Sequence, residues 1–209
     1  MRTLITELIG TFFLVLTVGL TVVAESPFAP LAIGLSLMIM VYMGGHISGA
    51  HYNPAVTLAV YMRGKLPAGQ VLPYWIAQIS GAILAALIVR VVTGSTFAPM
   101  PSAPAVPALL VEFLFTFALA LVVLNTATVA STAGNSYFGL AIGGTIVVAA
   151  FAGGGISGGA FNPAVGIGPT LVRLIDGGPL SQLWLYIVGP LLGGALAAIV
   201  FKMQNPEPA

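Results

Sequence analysis

The sequence predicts an all-α polytopic membrane protein: six transmembrane helices plus two re-entrant half-helices, arranged as an inverted repeat. Three observations predict it. First, 58% of the 209 residues are hydrophobic and only 5% are charged. Soluble domains carry roughly 25% charged residues, and a compact soluble fold could not cover its surface with so few. Second, six apolar runs have the ~20-residue length that crosses a bilayer. Third, two matched stretches interrupt them, Ser48-Gly49-Ala50-His51-Tyr52-Asn53-Pro54-Ala55-Val56 and Ser157-Gly158-Gly159-Ala160-Phe161-Asn162-Pro163-Ala164-Val165.

The expected spans cover about 4–24, 30–47, 70–92, 108–129, 136–154 and 180–202. The first is longer than a signal-peptide core and lacks a clear cleavage site, so it reads as a retained helix. Two shorter segments, about 53–62 and 162–173, cannot cross alone and read as re-entrant half-helices. Asn-Pro is a helix start: Asn is a favoured N-cap, and Pro tolerates the first helical position because its missing N–H had no partner there. A helix start at membrane depth is tolerated where it is buried in protein or lines a watery cavity. Glu25 to Pro30 is a short connection. The stretch 93–107 holds Pro99, Pro101, Pro104 and Pro107 without a charge, and reads as an extended external loop joining two halves. The tail from Gln204 is polar and expected to fray.

The halves repeat within a single domain spanning 1–209, with repeat 1 at about 1–92, the linker at 93–107 and repeat 2 at about 108–202. Leu31-Ala32-Ile33-Gly34 recurs as Leu140-Ala141-Ile142-Gly143, Asn53 as Asn162 and Trp75 as Trp184, each pair 109 apart (162 − 53). Glu7 recurs as Glu112, 105 apart (112 − 7). Three spans per half is odd, so the second half is inverted relative to the first, the pattern of membrane transport proteins. Arg2, Arg63, Lys65 and Lys202 fall on one side and Arg90 and Arg173 on the other. Positive charge favours the cytoplasm, so both termini are expected inside.

Composition also excludes classes. A net charge of +1 suggests no nucleic-acid partner. Without cysteine there is no disulfide or thiol chemistry. No third ligand accompanies His46 and His51, so no metal site is expected. No Ser/His or paired-Asp constellation suggests catalysis, and no cofactor is indicated.

Two Asn-Pro-Ala motifs, six spans and a glutamate in the first helix of each half together resemble the aquaporin (major intrinsic protein) family, from Glu7 to about Lys202. The resemblance implies a right-handed bundle with one pore per subunit, assembled as a homotetramer in the lipid of the plasma (inner) membrane. It implies passive passage of water or small neutral solutes. Asn53, Pro54, Ala55, Asn162, Pro163 and Ala164 would form the pore centre. Capping occupies each Asn side-chain oxygen and leaves its NH₂ for the pore. The two helix N-termini, each with about half a positive charge, would raise a barrier to cations. Glu7 and Glu112 would accept backbone hydrogen bonds from the loops that carry the half-helices; proton relay is the alternative. His46 and His51 would line the cytoplasmic approach or hold the loop, and His51 could instead gate by protonation.

The family's outer constriction maps onto Ile33, Ala150, Gly159 and Val165, where the alignment of Ala150 can slip by a residue or two. Its last position is normally Arg; here it is Val165. Ile, Ala, Gly and Val would make a wide, apolar mouth, with backbone carbonyls supplying most of the polar lining. Weak size discrimination follows, and water, glycerol, urea, ammonia, metalloid acids and peroxide all stay open as solutes. Gly166 occupies the place of the Asp found in many glycerol channels. A wide apolar ring can also dewet, so a poorly conducting or gated structural member is an alternative. A coupled secondary transporter would share the inverted repeat but needs an ion-binding group near the midplane.

Overall fold

The computed structural model describes residues 1–206. Eight α-helices follow in order: α1 Arg2–Val23, α2 Ala29–Ser48, α3 Pro54–Met62, α4 Ala68–Thr93, α5 Ala105–Ala127, α6 Phe138–Ser157, α7 Pro163–Arg173 and α8 Leu185–Gln204. Two short 3-10 turns lie at Ala130–Thr132 and Leu174–Asp176, and no strand occurs among the described residues. Among the described residues, six helices are long and apolar enough to cross a membrane. Between 28% and 50% of each spanning window is buried inside the molecule. The remaining apolar faces therefore need an apolar solvent, which is the bilayer.

Within each half the first long helix packs on the last, α1 on α4 and α5 on α8, while α2 meets α6 across the two halves. Small residues allow this. A side chain on Gly34 would lie 2.6 Å from the Gly143 carbonyl oxygen, and one on Gly143 would run into the Gly34 carbonyl. Gly81 faces the Leu8 backbone in α1, as Gly193 faces the Phe113 backbone in α5. Without a hydrophobic force between helices in lipid, such close backbone contact supplies the packing energy. Each half-helix docks on the last long helix of the other half, α3 on α8 and α7 on α4.

Four sequence expectations shift. α5 begins at Ala105 rather than near 108, because Pro107 is compatible with a first helical turn. α8 begins at Leu185 rather than near 180; Gly177, Gly178 and Pro179 keep the preceding chain out of helix. The longer connection moves the register of the third span. Tyr74 and Tyr186, 112 apart (186 − 74), make the matched contacts, donating to the carbonyls of Ser48 and Ser157. Trp75 and Trp184 are not equivalents: Trp75 donates to the Pro54 carbonyl, whereas Trp184 is an exposed residue at the start of α8. Helix α8 runs through Gln204, and Asn205 bonds to Asn125, so the chain is ordered beyond the expected fraying point. Residues 207–209 of that tail lie outside the described residues.

Candidate functional site

Both interrupting stretches fold alike. Gly49, Ala50 and Tyr52 have φ of 84°, 52° and 50°, and Gly158, Gly159 and Phe161 have 90°, 67° and 49°. Left-handed residues turn each chain sharply back after α2 and α6. The conformation costs a non-glycine residue about 1–2 kcal/mol, so Ala50, Tyr52 and Phe161 need support.

Two buried carboxylates provide it. Glu7 accepts from Ser48 Oγ at 2.6 Å, His51 N at 3.0 Å, Tyr52 N at 2.7 Å and Gln78 Nε2 at 2.8 Å. Glu112 accepts from Ser157 Oγ at 2.7 Å, Ala160 N at 3.0 Å and Phe161 N at 2.6 Å. Both are 0% exposed. A carboxylate inside a membrane protein requires such partners. The loop N–H groups and the two serine hydroxyls donate, and the carboxylates accept.

The loops deliver Asn53 and Asn162 to the helix starts. Asn53 Oδ1 accepts from Ala55 N and Asn162 Oδ1 from Ala164 N, each at 2.9 Å. Pro54 and Pro163 occupy the first helical positions. The amide NH₂ groups differ from expectation. Asn53 Nδ2 donates to the Phe161 carbonyl and Asn162 Nδ2 to the Tyr52 carbonyl, both at 2.9 Å. These crossed bonds tie the loops together. They engage one of the two N–H groups of each amide, leaving one per side chain.

Asn53, Asn162 and His51 line one cavity together with Ile33, Ala150, Gly159 and Val165. The remaining walls are mostly apolar, including Leu14, Leu37 and Ile146. The cavity offers about 40 Å³ for the centres of water-sized spheres. At ~10–15 Å³ per water, that is room for a few waters. Ala55 and Ala164 are 0% exposed and sit behind the tips; a side chain on Gly194 would come within 2.5 Å of the Ala55 carbonyl.

The two histidines separate. His51 is buried, its Nδ1 3.2 Å from Thr57 Oγ1 and its ring 5.1 Å from that of Tyr74. It lines both the central cavity and a second of about 380 Å³ that also contacts Lys65. His46 is exposed in a third cavity of about 500 Å³, beside Lys65 and Asn135. At the opposite end Arg90 pairs with Asp176 at 3.0 Å, and Thr96 donates to the same carboxylate at 2.8 Å. These donors hold the Asp176 carboxyl below its ordinary pKa, the Arg90 bond first.

Sequence reading missed the supporting role of four side chains. Gln78 bridges Glu7 and Thr57. Thr57 donates to the Asn53 carbonyl. Tyr74 and Tyr186 hold the ends of α2 and α6. A lone Gln in an apolar span was the available signal, since polar side chains at membrane depth require partners.

A family profile described as "Major intrinsic protein" matches residues 1–201. The chain is similar to Aquaporin NIP1-4 of Oryza sativa, 36% identical over 97% of this chain and 77% of that protein. It is similar to the putative aquaporin NIP4-1 of Arabidopsis thaliana, 38% identical over 96% of this chain and 73% of that protein. Its fold matches the crystal structure of the aquaglyceroporin from Plasmodium falciparum with a TM-score of 0.86, at 23% identity, covering 98% and 97% of the two chains.

Proposed function

The chain belongs to the major intrinsic protein family, whose members are membrane channels for water and small solutes and not enzymes, and on that premise we propose that its own pore passes small neutral solutes with little specialisation for water. The observation that carries this is Val165. It lines the same cavity as Asn53 and Asn162, beside Ile33, Ala150 and Gly159. An arginine there would bring five donors and a fixed charge. Valine brings neither. The proposed filter thus has no side-chain donor to replace the hydrogen bonds that a water molecule surrenders on entry.

Exclusion of ions then rests on the centre. The two half-helix N-termini converge there through the crossed Asn bonds. Their aligned dipoles disfavour cations, and the remaining Asn N–H groups orient a passing oxygen. In this proposal Glu7 and Glu112 are structural anchors and His51 lines the inner approach, with His46 at its entrance. Both termini face the cytoplasm, which is supported by the grouping of Arg63 with Phe201 and Lys202 at one end. The working unit is a homotetramer in the plasma membrane.

A poorly conducting protein is the second reading. The small, largely apolar cavity favours it, because apolar constrictions can gate by dewetting. Stopped-flow swelling of proteoliposomes tests both, comparing water, glycerol, urea and ammonia on one preparation. Fast flux of the larger solutes supports the proposed filter. Fast water with those solutes excluded overturns it. No flux of any kind establishes the second reading.

A further inference from the structure

His51 lines both the central cavity and the adjoining cavity that contains Lys65. A neutral imidazole carries one ring proton, so the nitrogen that faces a cavity either donates or accepts. The bond made by the other nitrogen decides which. In His51 that other nitrogen is Nδ1, 3.2 Å from Thr57 Oγ1. Nε2 lies on the side of Gly49, where an added side chain would approach it to 3.1 Å, and Gly49 lines the two inner cavities. Among the described residues no group bonds to Nε2.

The ring proton can be placed from the neighbours of Thr57, whose hydroxyl has one proton and two lone pairs. Thr57 Oγ1 lies 3.0 Å from the Asn53 carbonyl oxygen, which only accepts, so the hydroxyl proton points there. Gln78 Nε2, 2.9 Å away, only donates and takes one lone pair. The orientation of that amide is fixed, because the same Nε2 donates to the Glu7 carboxylate at 2.8 Å. The second lone pair of Thr57 is left for His51, so Nδ1 donates. The reverse arrangement, with Thr57 donating to Nδ1, would set the Thr57 and Asn53 oxygens lone pair to lone pair at 3.0 Å. The second loop has no counterpart of this pair, since Ala160 and Gly166 stand at the matching positions.

We propose that Thr57 is a positioning residue for permeation: its hydroxyl holds the His51 proton on Nδ1 and leaves Nε2 as a bare acceptor at the inner approach. The proposal rests on the channel reading and names a residue that prepares the path. A water whose oxygen accepts from the Asn53 and Asn162 N–H groups turns its own O–H groups outward. A bare Nε2 accepts one of them. An Nε2–H would meet it proton to proton.

Nitrogen NMR of the whole chain in lipid, carrying ¹⁵N-labelled histidine, tests this directly. Protonated and bare ring nitrogens resonate far apart, and His46→Gln identifies which signals belong to His51. Wild type should show Nδ1 protonated and Nε2 bare; a proton on Nε2, alone or together with Nδ1, overturns the proposal. Thr57→Val removes the acceptor, so the proton should move to Nε2. Water permeability of proteoliposomes, read by stopped-flow light scattering, should then fall about fivefold, the factor that corresponds to one ordinary hydrogen bond. Thr57→Ser returns the hydroxyl and should restore both readings, which a merely space-filling role of Thr57 does not require. An unmoved proton in folded Thr57→Val, or a moved proton with unchanged flux, overturns the role of Thr57. Thr57→Ala replaces Thr57→Val if the latter does not fold. No protein-dependent water flux in wild type, with the proton on Nδ1, overturns the channel reading and leaves the proton where the geometry puts it.

Discussion

The loops Ser48–Tyr52 and Ser157–Phe161 have nearly the same backbone but are held differently. The first is tied from within. Its carboxylate, Glu7, accepts four donors, and Gln78 connects that carboxylate to Thr57, which contacts His51. The second has Ala160 where the first has His51, Gly166 where it has Thr57, and Pro190 in the register of Gln78. Glu112 accepts three donors. What the second loop lacks in side-chain bonds it gains from outside. Ser102 N and Ala103 N both donate to the Ile156 carbonyl at 3.2 Å, and the Met100 backbone lies against Gly158. One geometry can thus be reached by a polar network or by a brace from a neighbouring segment.

The largest break should come from Glu7→Leu. It strands four buried donors and should cost more than about 3 kcal/mol, since bonds to a charged group are worth about 1.5–3 kcal/mol each. Glu112→Leu strands three and should cost less. The midpoints of heat-induced unfolding in detergent should fall in that order; a lower midpoint for Glu112→Leu would remove the distinction between the loops.

Next come the turn glycines. Gly158→Ala places a side chain 2.6 Å from Met100 N at a φ of 90°. Gly49→Ala meets only His51 Nε2, at 3.1 Å, with a φ of 84°. Overpacking against backbone costs about 1–3 kcal/mol, so Gly158→Ala should be the less stable by roughly that amount. Equal thermal midpoints would show that the outer brace yields. Gln78→Leu is smaller still. It removes one donor from Glu7 and should cost about 1–2 kcal/mol, with limited proteolysis showing greater cleavage at the first loop than at the second.

The smallest effect is expected at Asp176→Asn. The Arg90–Asp176 pair is about 40% exposed on both sides, and exposed pairs contribute little. Its carboxyl has a lowered pKa in the folded chain. A depressed carboxyl stabilises at neutral pH, and that contribution is lost only as acidification passes through the lowered value. Wild type and Asp176→Asn should therefore have nearly equal midpoints at neutral pH and converge in acid; divergence in acid would refute the assignment.

Much of this was legible in the sequence. The apolar runs predicted the six long helices because bilayer thickness sets their length. Asn-Pro predicted both short helices because cap and proline chemistry are local. Glu7 and Glu112 stood out because an isolated carboxylate in an apolar span needs partners. Val165 was located by its neighbour Asn162, whose motif fixes the count. The misplaced equivalence of Trp75 and Trp184 has a different origin. A three-residue difference in connection length leaves no local mark, and only the facing contacts of Tyr74 and Tyr186 reveal the register.

Local chemistry settled where the two half-helices begin, how many segments are long enough to span and which few polar side chains must find partners, since helix capping, span length and the cost of desolvation act within one segment. Which partners they found depended on how the helices pack. The crossed bonds of Asn53 and Asn162, the four donors on Glu7 and the brace of Met100 on Gly158 join residues dozens of positions apart. Their distances depend on how helices cross, and crossing depends on the small residues that let backbones meet.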